Sequence, residues 1–262
     1  MIRLIARRAG QLKAIDGARI AISTRRIVPV VLVAVALGLP GSALKAQNQA
    51  LARAASQLSW SPQNLAALRA LFRDSNSVKE FLHQIDGSAS GMLLNVIDGV
   101  KEYQLVDLAH DGWFELVALV DISGRGLYNN IMIVDSSPTG FVVREIHGFD
   151  IEDLDSVLID LDGNGEMEIV VPQALEPDRG RATRTATMVE IYSWNRRGVE
   201  KVSGRFRSYY RDVVLPKLEH RLKESEQSPD AGITASERER RRQLQATYRT
   251  EIDAVKVRLA AK

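Results

Sequence analysis

Cysteine is absent from the 262 residues. That excludes disulfides, thiol nucleophiles, thiolate metal sites and a lipid-modified N-terminal cysteine. The chain is compatible with an oxidising compartment without pointing to one. Histidine occurs four times, at His83, His110, His147 and His220. No two stand in a spacing such as H-x-x-x-H, so zinc chemistry has no support. His110 reads as solvated surface. Neither a G-x-S-x-G elbow nor a glycine-rich phosphate loop occurs, and Gly124-Arg125-Gly126 reads as a turn between strands. No catalytic constellation stands out. Long apolar runs are missing too. The longest is Ile27–Leu39, shorter than the roughly 20 residues that span a bilayer.

That short run has a context. It follows a basic lead containing Arg3, Arg7, Arg8, Lys13, Arg19, Arg25 and Arg26, and precedes Pro40, Gly41 and the small residues Ser42, Ala43 and Ala46. Basic lead, short apolar core and small-residue exit describe a signal peptide over residues 1–46, cut after Ala46 or Ala43. The expected location is periplasmic or secreted; an uncleaved leader would instead anchor the chain in the inner membrane. Thr24-Arg25-Arg26-Ile27-Val28 partly matches a twin-arginine signal, with Pro29 against it. The chain holds 35 basic and 33 acidic residues, of which eight and one precede position 47. The remainder therefore has 27 basic and 32 acidic residues, a formal −5. The basic isoelectric point belongs to the leader and is no sign of nucleic-acid affinity.

Three zones follow. Residues 47–90 read as helical: Ser61-Pro62 offers a cap and a first-turn proline, and Leu65, Leu68, Leu71 and Phe72 share one face. Ser77-Val-Lys-Glu80 fits a capping box for a second helix. From about 91 to 204, strand-like segments alternate with Gly, Asp and Asn turns. The last zone, 205–262, returns to helix. Val214, Leu218 and Leu222 recur every four residues. Thr234-Ala-Ser-Glu237 and Ser236-Glu-Arg-Glu239 both fit a capping box. Leu244, Tyr248, Ile252, Val255 and Leu259 then line one face, so an αα-hairpin is expected. Arg238, Arg240, Arg241 and Arg242 read as its solvated face, not as a nucleic-acid contact.

The middle zone repeats itself. Val106–Val117 aligns on Ile159–Val170, and Ile133–Gly140 on Ile191–Gly198. Each unit reads strand, loop, strand, long loop, strand, turn, strand. Within the second unit, Asp160-Leu-Asp162-Gly-Asn164-Gly165-Glu166-Met-Glu168 places oxygen-bearing side chains at positions 1, 3, 5 and 9 and a glycine at 6. A hard cation takes six to eight oxygens on such a sharply turning loop. The other reading is a hairpin turn whose carboxylates cap backbone amides with no metal. The first unit keeps Asp107, Asp111 and Glu115 but has Ala109 at position 3, which weakens it as a metal loop.

The pattern D-x-[DN]-x-[DN]-G-x-x-[DE] followed by a strand resembles the calcium loop of FG-GAP/VCBS repeats, as found in integrin α-type β-propellers. The resemblance covers residues 100–204. It implies that Asp160, Asp162, Asn164 and Glu168 ligate Ca2+ through side chains and Glu166 through its carbonyl, a structural role for the ion. Val171-Pro172 departs from the family's Gly-Ala-Pro element, and only two repeats are visible where propellers close with four to eight blades. The expected fold class is α+β: two four-stranded antiparallel blade-like repeats, an incomplete propeller, with N-terminal helices and a C-terminal hairpin covering exposed edges. The expected function is an exported, non-catalytic calcium-binding protein presenting a surface to a protein or glycan; Trp113 and Trp194 read first as core packing at blade positions and second as a sugar-lining face. Asp150, Glu152, Asp153 and Asp155 read as a solvated acidic loop, or else as an addition to cation binding. The alternatives for function are a hydrolase using acidic loop residues and a helix-mediated oligomeric scaffold.

Overall fold

The computed structural model describes residues 50–85, 97–122, 128–137, 139–175, 185–195, 197–228 and 232–261. The leader expected over 1–46 and the Gly124–Gly126 turn lie outside them. No helix among the described residues is long and apolar enough to cross a membrane.

The N-terminal zone forms α1 (residues 50–57), a 3-10 turn at Pro62–Asn64, α2 (Leu65–Leu71) and α3 (Ser75–Ile85). Proline at the first position suits a helix start, since its missing amide has no intrahelical partner there. The expected serine cap is not made: the Ser61 side chain gives no capping bond and pairs with the Ser59 hydroxyl. α3 begins two residues ahead of the Ser77 expectation. Asp74 Oδ1 accepts the Ser77 amide at 2.8 Å, and the Ser77 hydroxyl takes the Asp74 amide at 3.2 Å. Aspartate out-competes serine here because a charged acceptor makes the stronger cap.

Two four-stranded antiparallel sheets follow, each a simple meander. Sheet one comprises β1 (Ile97–Val106), β2 (Glu115–Ile122), β3 (Tyr128–Ser137) and β4 (Gly140–Phe149); sheet two comprises β5 (Leu158–Ile159), β6 (Glu168–Ala174), β7 (Thr187–Asn195) and β8 (Gly198–Lys201). They form no closed barrel. The internal repeat is visible in the pairing: Val106 faces Glu115 in the first and Ile159 faces Glu168 in the second. Gly140 and Gly198 open the two last strands with φ of 130° and 132°. The second unit is the smaller. Pro172 lies where β6 has run past its short neighbour β5 and pairs only with β7, so the missing amide weakens no second ladder.

The sheets stack face to face between helices. On β2, Leu116, Ala118 and Val120 point toward α1–α3 while Val117 and Leu119 point toward sheet two. Both faces are covered, which explains an unbroken apolar run in an antiparallel strand. Trp60, fully buried, centres the first interface, with ring centroids 5.7 Å from Phe72 and 5.8 Å from Phe141. Ile131, Ile133, Ile169, Val171 and Trp194 fill the space between the sheets. Beyond sheet two, Val170 and Ile191 meet Tyr210, Val214 and Val255. Tyr210 and Val214 come from a helical run that starts with a 3-10 turn at Ser203–Phe206, passes through α4 (Arg207–Tyr209) and a π segment (Tyr210–Val214), and ends in α5 (Leu215–Gln227). α6 (Ala235–Ala260) returns against it. Of the two capping boxes that fit its start, Thr234 with Glu237 is the one made.

Candidate metal-binding loop

Both acidic loops sit at the same turn of their sheets, between first and second strands, and they are built alike. Asp107 Oδ1 and Oδ2 accept the amides of Asp111 and Gly112 at 2.9 and 2.8 Å. Asp160 does the same for Asn164 and Gly165 at 3.1 and 3.0 Å. The residue at position 5 then takes the amide at position 7: Asp111 from Trp113 at 3.0 Å, Asn164 from Glu166 at 2.6 Å. The terminal glutamate reaches back to the amide at position 2: Glu115 to Leu108 at 3.0 Å, Glu168 to Leu161 at 2.9 Å. Positions 4 and 6 have positive φ in both, at His110 and Gly112 and at Gly163 and Gly165. The loop shape is thus held by carboxylate-to-amide bonds, and it is the same whether or not position 3 carries an acid.

Position 3 is where the loops part. Asp162 stands there in the second, and with Asp160 and Glu168 it brings three carboxylate oxygens within 4.8 Å of one another. The first loop carries its third acid at position 5, Asp111, with Ala109 at position 3, and its acids form no such group. Asp162, Asn164 and Glu166 are exposed, Asp160 is half-buried and Glu168 is buried. Burial raises the Glu168 pKa, the Leu161 amide opposes this, and the charges of Asp162 and Asp160 raise it further. Burial does the same to Glu115, pushing it up to about 7, against the bond from Leu108; Asp135 and Asp111 add repulsion. The Trp194 indole, whose N–H meets no partner at normal distance, lies beside Glu115 and favours its charged form.

The two loops touch. The Met167 amide, at position 8 of the second, donates to the Leu108 carbonyl, at position 2 of the first, at 2.9 Å. The Phe114 amide, again at position 8, donates to the Trp60 carbonyl at 2.7 Å. The same link therefore runs through three successive segments, and Trp60 fills the position-2 role in a region with no acidic loop. His110, though exposed, lays its imidazole over Gly165: a Cβ there would stand 2.7 Å from Nδ1. Sequence comparison missed Trp60 and His110 in these roles, since neither residue repeats.

The other candidates are placed as follows. Asp153 Oδ1 caps the Ser156 amide at 2.7 Å and Asp155 takes the Gln104 amide at 2.8 Å, so these two acids stitch the inter-sheet loop. Trp194 is buried between the sheets, while Trp113 is 40% exposed. Compared with models of known families, with curated proteins and with solved structures, the chain matches none.

Proposed function

We propose that Asp160–Glu168 binds one calcium ion and that this ion stiffens an exported, non-catalytic β-repeat protein whose outer surface engages a protein or glycan. The observation that carries the reading is the convergence of Asp160, Asp162 and Glu168 on one point. Crowded anions at partly desolvated positions cost free energy that a cation removes, and all-oxygen donors on a tight turn suit Ca2+. Asp160 Oδ1 already accepts the amides of Gly163 and Asn164, while Oδ2 accepts only that of Gly165 and keeps a lone pair for an ion. Asn164 and the Glu166 carbonyl complete the donor set that the repeat resemblance implies. Magnesium fits less well, since it sheds water reluctantly for an all-protein cage. On this reading the two sheets are blades of the propeller type in an array that stops at two, and an N-terminal leader delivers the protein to a calcium-rich compartment.

A calorimetric scan with calcium against chelator tests the site. Extracellular-type sites bind at about 10⁻⁴ to 10⁻³ M. At roughly a hundredfold excess over Kd the stabilisation is about 2.7 kcal/mol, a rise in Tm of about 5–10 °C for a protein of this size. Asp162→Ala removes the gain and leaves the calcium-free Tm nearly unchanged, because the first loop holds its shape with alanine at that position. Equal Tm in calcium and chelator, with no ⁴⁵Ca retained on dialysis, sinks the reading.

A further inference from the structure

We propose that the groove between β8 and the C-terminal end of α6 is an oxyanion site that takes a phosphate group. It is a cavity of about 410 Å³ lined by Lys201, Ser203, Gly204, Arg207, Arg258 and Ala261. Three of the six are cations and none is an acid. One carboxylate stands behind them, Glu190 on β7, buried. Its oxygens are fully engaged. Oε1 accepts from Arg258 Nη2 at 2.6 Å and pairs with Lys201 Nζ at 2.9 Å; Oε2 accepts from Arg258 Nη1 at 2.8 Å and the Ser203 hydroxyl at 2.6 Å. Among the described residues a single negative charge thus answers three positive ones.

The cations are also held in place. Lys201 and Arg258 share one oxygen of Glu190, so their nitrogens are neighbours, and Arg207 is tied to the Leu259 carbonyl. Lys201 keeps its side chain 51% exposed, with two further N–H directions on the ammonium, and Arg207 is exposed with a five-donor guanidinium. Held donors lose little rotamer freedom on binding, which favours a ligand that needs several at once. A phosphate carries close to two negative charges near neutral pH and accepts on every oxygen, matching the excess of two; a carboxylate brings one.

The test uses the full chain in chelator, so that it is independent of the calcium loop. Inorganic phosphate is titrated against chloride at matched ionic strength, with Tm and the ³¹P line width as readouts. Phosphate should raise Tm saturably and broaden its own resonance. Lys201→Gln and Arg207→Gln should each weaken the apparent affinity about tenfold, the worth of one charge-assisted hydrogen bond. Lys223→Gln on α5 removes the same charge away from the groove and should leave the response intact. Glycerol 3-phosphate, run beside the free ion, separates a phosphate ester from phosphate itself as the preferred ligand. The proposal is overturned if phosphate and chloride act alike, if the groove variants respond as the parent does, or if Lys223→Gln loses the response equally. Should a groove variant fail to fold, an unbroadened ³¹P line with the parent protein overturns it alone.

Discussion

Gly165 has two independent reasons to be glycine. Its φ of 89° lies where a side chain is strained, at a cost of about 1–2 kcal/mol, and its open side is occupied by the His110 imidazole. Gly112 has the first reason only, with φ of 83° and nothing within 4 Å of an added Cβ. Gly165→Ala should therefore destabilise more than Gly112→Ala in urea titrations, and His110→Ala should erase the difference. Equal Gly165→Ala costs in the His110→Ala background and in the parent would show that the ring moves aside freely. Glu115 supplies a pH effect. Its pKa is pushed up from the ordinary 4.5 to about 7 by burial, with Asp135 and Asp111 adding to the rise and the Leu108 amide and Trp194 opposing it. Below pH 4.5 the group is protonated folded and unfolded, and no penalty exists. Between 4.5 and 7 the unfolded chain releases a proton that the folded protein retains, so stability falls as pH rises and levels off above 7. The loss is on the order of 2–4 kcal/mol. Glu115→Gln should flatten that window; an unchanged slope of unfolding free energy against pH would rule it out.

At the scale of elements, the α6 helix is bolted to sheet two by polar as well as apolar contacts. Val255 is buried against Val170 and Ile191, and Glu251 Oε1 takes the Thr187 amide at 2.8 Å. The Arg258–Glu190 pair is the strongest tie. Burial works to raise the Glu190 pKa, but bonds from Arg258, Ser203 and Lys201 outweigh it and hold it below the ordinary 4.5. A lowered acid stabilises the fold above its unfolded pKa and loses that contribution as pH falls through the folded one, so α6 should loosen only in acid. Arg258→Leu leaves the buried Glu190 with one fewer partner and should cost about 2–4 kcal/mol, read as faster amide exchange along α6. Exchange unchanged from the parent would place the anchorage elsewhere. Most of this architecture was legible beforehand. Apolar spacing located α6, with Thr234 and Ser236 both offered as its cap, and self-alignment located the paired loops, because periodicity and turn chemistry are local signals. What was not legible joins residues distant in the chain: Glu190 with Arg258, Trp60 with Phe114, His110 with Gly165. No local pattern marks a partner that only the stacking of layers brings near. Even locally, the start of α3 was misplaced, because Asp74 and Ser77 compete for one cap and only the folded geometry decides.

Across the described residues, the order of layers is helices, sheet one, sheet two, helices, and both outer sheet faces are covered. A sheet stacked on a sheet has two outer faces left, and a repeat array must end them with something polar on its far side. Here α1–α3 close one end, with Leu68, Phe72, Phe81 and Leu82 against Met132 and Val134. The run from Ser203 and α6 closes the other, with Tyr210, Val214 and Val255 against Val170 and Ile191. The apolar stripe of α6 is shared between α5 and sheet two, where Ala254, Val255 and Leu259 join the cluster, so the C-terminal hairpin serves first as a lid. A chain ending at residue 234 should consequently uncover the side of the Val170, Ile191 and Tyr210 cluster that Val255 and Leu259 close. Each buried side chain of that size contributes about 1.5–3 kcal/mol, enough that losing several removes most of an ordinary domain's margin. The expected product binds a hydrophobic dye, scatters light and melts early, with sheet two losing exchange protection before sheet one. A shortened chain that stayed monodisperse, with the parent's Tm, would mean that the lid is dispensable and that the stripe on α6 is there for a partner.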